Sequence, residues 1–264
     1  MNILKLLKDS FIDSVPIYGF LLLLNIPSFL VTPFLVLDLP TTGWKLLFYA
    51  LAVLGNIFLI IWTRGASTYY IYSYFVQKKV SILGAFKNTF LKLEQLILGS
   101  WMVLGVFLIG LILFIIPGIY LVVKYYFFAE AILIENRRAK DGMNRSSDLV
   151  RGRWTSVFLA ILVNVLVFNY LANDLSSQII VGLFPRIEER AEMIGTILGF
   201  LVNPFNQVYN VLLFMRVRQQ SSLGETSIRA ETYVKDLTIH FQQPVHLADC
   251  ENAIARLVVG RRII

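Results

Sequence analysis

The feature that most limits what this chain can become is a series of six apolar stretches, each long enough to cross a bilayer. A hydrocarbon core of about 30 Å needs about 20 mostly apolar helical residues. The stretches lie at about 15–37, 44–64, 96–116, 119–135, 154–173 and 194–215. Composition points the same way. Of 264 residues, 57% are hydrophobic and only 16% are charged, against about 45–50% and about 25% in soluble domains. A soluble chain of this make-up has too few polar groups to cover its surface, so lipid is the expected solvent for most of it. The fold class expected is all-α: a polytopic membrane helix bundle with six transmembrane helices. The membrane domain takes residues 1–218 and a C-terminal tail takes 219–264.

Prolines punctuate the stretches. Pro27 and Pro33 interrupt the first and tend to kink it. Pro117 and Gly118 separate the third from the fourth as a tight turn, which makes those two helices antiparallel neighbours.

Loop charges set the orientation. The loop after the second stretch holds Lys78, Lys79, Lys87 and Lys92 against Glu94. The loop after the fourth holds Arg137, Arg138, Lys140, Arg145, Arg151 and Arg153 against Asp141 and Asp148. The opposite side has Asp38 and Lys45, the Pro-Gly turn, and a loop with Asp174, Arg186, Glu188, Glu189, Arg190 and Glu192. The excess of Lys and Arg marks its side as cytoplasmic. Lys5, Lys8, Arg216 and Arg218 fall on that side too, so both termini are expected in the cytoplasm of a bacterial-type inner membrane. The net charge of +7 would suggest nucleic acid in a soluble protein. Here it sits in short loops, where it serves topology and contact with anionic lipid, and no nucleic-acid partner is expected. Cys250 stands alone, so no internal disulfide forms. Met1–Ser14 lacks a small-residue cleavage site and does not read as a cleaved signal peptide.

Three of the stretches follow a short amphipathic segment. These are Leu7–Phe11, Phe86–Phe90 and Asn144–Asp148. Lys8, Lys87 and Arg145 align, as do Ser10, Thr89 and Ser147. Phe86, Phe90, Leu93 and Ile97 share one helical face, as do Leu4, Leu7 and Phe11. The pattern predicts helices lying in the cytoplasmic headgroup layer, and a unit of interfacial helix plus two spans used three times. Any basic amphipathic linker has similar composition, so the alternative is no repeat at all.

The segment from Ile116 to Val157 carries a more specific pattern. It runs through Pro117, Gly118, Lys124, Glu135, Arg145, Ser146, Leu149, Gly152, Arg153 and Trp154. A Pro-Gly turn, a span with a basic residue, an acid near its inner end, an amphipathic Arg-Ser helix and a Gly-Arg-aromatic sequence follow in order. This resembles the bacterial membrane-domain family named after glycerophosphoryl diester phosphodiesterase, and related uncharacterised integral membrane families. Gly65-Ala66 and Val80–Phe86 look like an earlier copy, and Tyr209–Arg218 like the family's end. Met215 stands where the family often has an acid, so no role for that acid carries over. The resemblance covers about 1–218 and implies a six-span bundle, not an activity. Some relatives carry a fused phosphodiesterase barrel, for which this chain leaves no room.

Charged residues inside apolar spans are the default functional candidates, since each costs about 2.5–3.5 kcal/mol at mid-membrane. The candidate intramembrane polar site is Arg64, Lys124, Glu130, Glu135 and Asn203. Glu130 lies six residues after Lys124, nearly opposite in helical angle, so the two do not pair on one helix. The favoured reading is structural. Lys124 and Arg64 snorkel, Tyr69, Tyr70, Tyr72 and Tyr74 form an interfacial belt, and Glu135 is a solvated helix end. The sharper alternative is that Arg64 or Lys124 pairs with Glu130 across helices and lines a cavity. Asn164, Asn169, Asn203, Asn206 and Asn210 read first as bonds between helices. Gly195 and Gly199 form a GxxxG pair, while Gly105 and Gly110 are isolated. Candidate contacts for anionic lipid are Lys87, Arg145, Arg151 and Arg153.

No HExxH, GxSxG, Walker A or GxGxxG signature occurs. Glu188-Glu189-Arg190 lacks the spacing of intramembrane proteases, and His240, His246, Asp249 and Cys250 match no standard metal site. No enzyme activity, metal or cofactor is expected. In the tail, Gln219–Ser222 reads as a linker, Tyr233–Phe241 as a strand and Leu247–Val259 as a short helix. The tail is a candidate docking segment for a protein partner, and the oligomeric state is open. The function expected is a non-enzymatic scaffold, assembly or lipid-interacting accessory component. The alternative is a transporter or channel-like protein for a small or lipidic substrate.

Overall fold

The computed structural model describes residues 2–31, 43–113, 115–168, 170, 178 and 191–241. Among them all regular structure is helical. Helix α1 (Ile3–Ser14) opens on Asn2, whose side chain accepts the Lys5 N–H at 3.0 Å, and a 3₁₀ turn at Val15–Ile17 leads into α2 (Tyr18–Val31). Then come α3 (Gly43–Phe75), α4 (Ile82–Phe90), α5 (Leu93–Leu113), α6 (Ile115–Lys124), α7 (Phe128–Ile134), α8 (Ala139–Val150), α9 (Trp154–Asn164) and α10 (Ala191–Phe241). The chain divides into two compact units, Met1–Met215 and Arg216–Ile264. Pro33, Asp38, Asn169, the 174–190 loop charges and the 247–259 helix lie outside the described residues.

Among the described residues, five helical stretches are long and apolar enough to cross a membrane: Ile3–Pro27, Tyr49–Phe75, Leu93–Ile112, Ile116–Ile134 and Gly195–Ser222. A sixth is added if Ala139–Val150 and Trp154–Phe168, bent by 104° against each other, count as one span. Only 17% of the Leu93–Ile112 stretch is buried inside the protein. Its outward side chains include Leu98, Trp101, Leu108, Ile109 and Ile112, and α3 exposes Leu47, Leu51, Leu54 and Ile57. Soluble monomers rarely expose apolar surface on this scale. The first stretch runs through α1, so Leu4, Leu7 and Phe11 belong to it and not to a separate sharply angled helix.

Buried clusters among the described residues hold the first unit together. One joins Leu21 and Leu24 of α2 to Ala66 and Ile71 of α3, Ala85 of α4, and Val208 and Val211 of α10. Another joins Leu96 of α5 to Ile132 and Leu133 of α7, with Ile61 of α3 against them. Small residues bring the backbones close. A Cβ on Gly65 would meet Thr89 Cγ2 at 2.5 Å. Helices α5 and α6 touch where a Cβ on Gly110 would lie 3.0 Å from Gly118 Cα. Gly110 is thus a packing residue and not an isolated glycine. The Pro117-Gly118 pair is also not the turn itself; it sits in the first turn of α6. Proline is tolerated there because the first backbone N–H groups of a helix have no partner inside it.

The fourth apolar stretch is broken. Helix α6 ends at Lys124 and α7 starts at Phe128; as their spacing implied, no ion pair joins Lys124 to Glu130 among the described residues. The gap is closed from α8. The buried Ser146 hydroxyl donates to the Lys124 carbonyl and accepts the Phe127 N–H, both at 3.0 Å. Lys92 donates to the carbonyls of Leu133 at 2.9 Å and Ile132 at 3.4 Å, capping the end of α7. Burial lowers the Lys92 ammonium from its ordinary pKa. The Gln95 side chain accepts the Ala139 N–H at 3.0 Å at the start of α8.

The tail departs from expectation. Gln219–Ser222 and Tyr233–Phe241 belong to helix α10, not to a linker and a strand. The β-branched residues Thr232, Val234, Thr238 and Ile239 favoured a strand. Extending an existing helix needs no new nucleus, however, and each added residue gains a backbone bond.

Two predictions follow from these joints. Ser146→Ala removes both bonds at the α6–α7 gap and should cost about 1–3 kcal/mol. Ser147→Ala, at a half-exposed neighbour, should stay within about 0.5 kcal/mol; thermal unfolding in detergent compares them, and equal losses would remove Ser146 from this role. Helix α3 closes with Lys78 N–H on the Ser73 carbonyl at 2.8 Å and Gln77 N–H on the Tyr74 carbonyl at 3.0 Å, with Gln77 at φ 58°. Left-handed φ at a side-chain-bearing residue costs about 1–2 kcal/mol. Gln77→Gly should therefore raise the melting temperature, and a fall would show that the Gln77 side chain makes a compensating contact.

Candidate functional site

A polar stripe on α10 starts the site. Asn203, Asn206, Gln207 and Asn210 fall at helical spacing in an otherwise apolar run. Their amides bond to two other helices. Asn25 of α2 accepts from Gln207 Nε2 at 2.9 Å and Asn203 Nδ2 at 3.3 Å. Asn164 of α9 donates to the side-chain oxygens of Asn206 and Asn210, each at 3.0 Å. The chain turns π-helical at 165–168, directly after Asn164. Asn210 donates to Asn206 at 3.0 Å, and the Tyr126 hydroxyl donates to Asn210 at 2.8 Å. Tyr126 belongs to the α6–α7 gap, so the Ser146 hydroxyl that closes the gap also helps position this phenol.

The N-terminal end of α10's stripe is supported. Pro204 interrupts the hydrogen-bond ladder of α10. The Tyr18 hydroxyl donates to the nearby Leu201 carbonyl at 2.7 Å. Phe205 stacks on Phe11 and Tyr18, with ring centroids at 4.9 and 5.2 Å.

The stripe faces a cavity of about 330 Å³. Arg64 and Thr68 of α3, Ser100 of α5, Tyr126 and Glu130 line it opposite Asn203, Asn206, Gln207 and Asn210. Gly65 forms part of the wall, where a side chain would collide with Thr89. A second cavity of about 200 Å³ adjoins it and shares Ile60, Arg64 and Asn203 with the first. It is closed by Phe29, Thr196 and Phe200, and the rings of Phe29 and Phe200 pack at 4.3 Å.

Of the five residues expected in a polar site, the structure brings three together. Arg64, Glu130 and Asn203 line the larger cavity. Arg64 and Glu130 are not in ion-pair contact among the described residues, which departs from the pairing considered from sequence, whereas Glu135 pairs with Arg137 and Arg145. The Glu130 Oε2 atom is buried without a hydrogen-bond partner. Lys124 lies elsewhere, its ammonium 5.4 Å from the centre of the Tyr125 ring, beside a surface pocket shared with Asp148, Arg151 and Trp154. Glu135 is no solvated helix end: its side chain is 8% exposed and its carboxylate meets Arg145 and Arg137 at 3.0 Å. Arg145, read as a lipid contact, is thereby committed to Glu135. Lys87 and Arg151 are exposed, and Arg153 precedes α9.

Sequence reasoning singled out neither Asn25, Tyr126 and Gln207 nor Ser100 and Thr68. The spacing 203, 206, 207, 210 carried a legible signal, one polar face in an apolar helix. Asn25 and Tyr126 carried none, because only the fold brings them to that face. Among the described residues no three His, Cys, Asp or Glu side chains come together as metal ligands. What the cavity can do is hold a small polar group between one cation, one carboxyl and a ladder of amides.

No curated protein and no solved structure matches the chain. A family described as a domain of unknown function, DUF7847, matches residues 40–215, from before α3 into α10 and including every cavity element except α2. The chain belongs to that family.

Proposed function

We propose that the protein is a six-span membrane protein that binds a small polar solute in the Arg64–Glu130 cavity, as a transporter or channel-like protein does. The observation that carries this is the cavity itself: about 330 Å³, with Arg64 and Glu130 on its wall and no ion pair between them. Charged groups among apolar helices are costly and serve substrate or ion paths more often than packing. A solid interior with both charges at the lipid boundary would have favoured the accessory role.

The membrane reading has further support. The outward faces of α3 and α5 are apolar. The 104° bend between α8 and α9 suits a helix in the headgroup layer followed by a span. Lys87 and Arg151 are exposed where anionic headgroups could reach them, and the Lys/Arg bias supports cytoplasmic termini. The threefold repeat gains a register. Leu6 and Ser10, Ala85 and Thr89, and Gly142 and Ser146 are buried pairs four residues apart on α1, α4 and α8. The third hydroxyl is then Ser146 and not Ser147. The likeness of Ile116–Val157 to phosphodiesterase-associated membrane domains adds an architecture and no chemistry.

The test is a thermal-shift and native mass spectrometry screen of the purified chain in detergent, against sugars, polyols, amines, carboxylates, zwitterions and phosphates. At least one solute should raise the melting temperature saturably, as ligand linkage requires. Ser100→Trp, which fills the cavity, should abolish the shift. A screen without response, together with a stoichiometric protein partner in the native spectra, would replace this reading with the accessory one.

A further inference from the structure

The cavity's polar groups are not equally available. The amides of Asn164, Asn203, Gln207 and Asn210 donate to one another or to Asn25, and the Tyr126 hydroxyl donates to Asn210. Those donors therefore stabilise the wall and leave Glu130 aside. Glu130 Oε2 is buried with no donor, and Arg64 has neither an ion pair nor a hydrogen bond among the described residues. An ionised carboxylate held away from water needs a cationic or hydrogen-bonding partner. The guanidinium in turn is a planar donor suited to an oxyanion. A single monovalent ion satisfies one of the two and leaves the other. A solute that carries both charges satisfies both.

We infer that the solute is a small zwitterion, with an N–H-bearing ammonium group on Glu130 and an anionic oxygen group, carboxylate or phosphate, on Arg64; this rests on the solute-binding reading above. The separation of the two side chains sets the preferred length of the solute. Because the unsatisfied atom is an acceptor, the ammonium needs N–H bonds, and full methylation of the nitrogen weakens binding. A neutral polyol finds polar groups on the wall, among them Asn206, Ser100 and Thr68, but leaves both charges without a counter-charge.

The experiment is isothermal titration of the full chain in nanodiscs. Probes are β-alanine, γ-aminobutyrate and phosphoethanolamine, their trimethylated forms, and the half-molecules propylamine and propionate, with glycerol as the neutral control. At least one zwitterion should bind ten times tighter or more than either half-molecule. Which of the three binds tightest separates a carboxylate from a phosphate partner. Glu130→Gln should lower zwitterion affinity at least tenfold and leave propionate within threefold. Arg64→Gln should do the converse, sparing propylamine, a crossed pattern that mere loss of structure does not give. If either variant fails to fold, the wild-type series alone decides. Zwitterions no tighter than propionate or propylamine would overturn the inference. If only glycerol or other neutral solutes bind, the inference fails and the solute-binding reading stands. If no solute of any class binds, both fail.

Discussion

A backbone break among apolar helices has to be repaired by some other group, and here one hydroxyl does it. Between Lys124 and Phe128 the helical ladder lapses, and Ser146 supplies both an acceptor and a donor from α8. Water could do this at a protein surface. Among packed apolar side chains an unpaired carbonyl or N–H costs several kcal/mol. The position of α8 is fixed in the same way at its other contacts. Gly142 lets it approach α7 so closely that a Cβ there would meet Ile132 at 2.8 Å. Lys92, Gln95 and the Glu135–Arg145 pair then satisfy the end of α7 and the beginning of α8.

The cavity inherits its geometry from this joint. Tyr126, in the gap, keeps its N–H on the Val123 carbonyl and sends its hydroxyl to Asn210, and Glu130 stands on the short helix α7. A continuous helix would have set Lys124 and Glu130 by the 3.6-residue repeat, on opposite faces of one cylinder. Lys124 does lie at a surface pocket and Glu130 in the interior, in keeping with that opposition. The amide ladder of α10 completes the wall. It ties α2 and α9 to α10 while leaving Arg64 and the Glu130 carboxylate as the charged groups available to a solute.

Much of the architecture was legible in advance because apolar length and periodicity are local properties. The candidate spans coincide with most of the apolar stretches, and Arg64, Glu130 and Asn203 stood out as polar groups in apolar runs. The misreadings had non-local causes. Glu135 and Arg145 are ten residues apart and looked like a solvated helix end and a lipid contact, but α7 and α8 pack and turn them into one partly buried pair. Pro117-Gly118 looked like a turn by dipeptide chemistry, yet its place is the opening turn of α6, where the glycine serves the contact with Gly110. The tail looked like a strand by propensity, which a preceding helix overrode.

The sequence by itself determined the helical class, most of the membrane-length segments and the identity of the costly charges, since each depends only on transfer free energy along the chain. Tertiary structure alone decided which of those charges share a cavity. Asn25, Arg64, the Tyr126–Glu130 segment and Asn210 come from four separate parts of the chain, and no local spacing encodes their distance. That distance is set by close backbone approach at Gly65 and Gly142 and by a hydroxyl bridging a broken helix, and both exist only once the helices have packed.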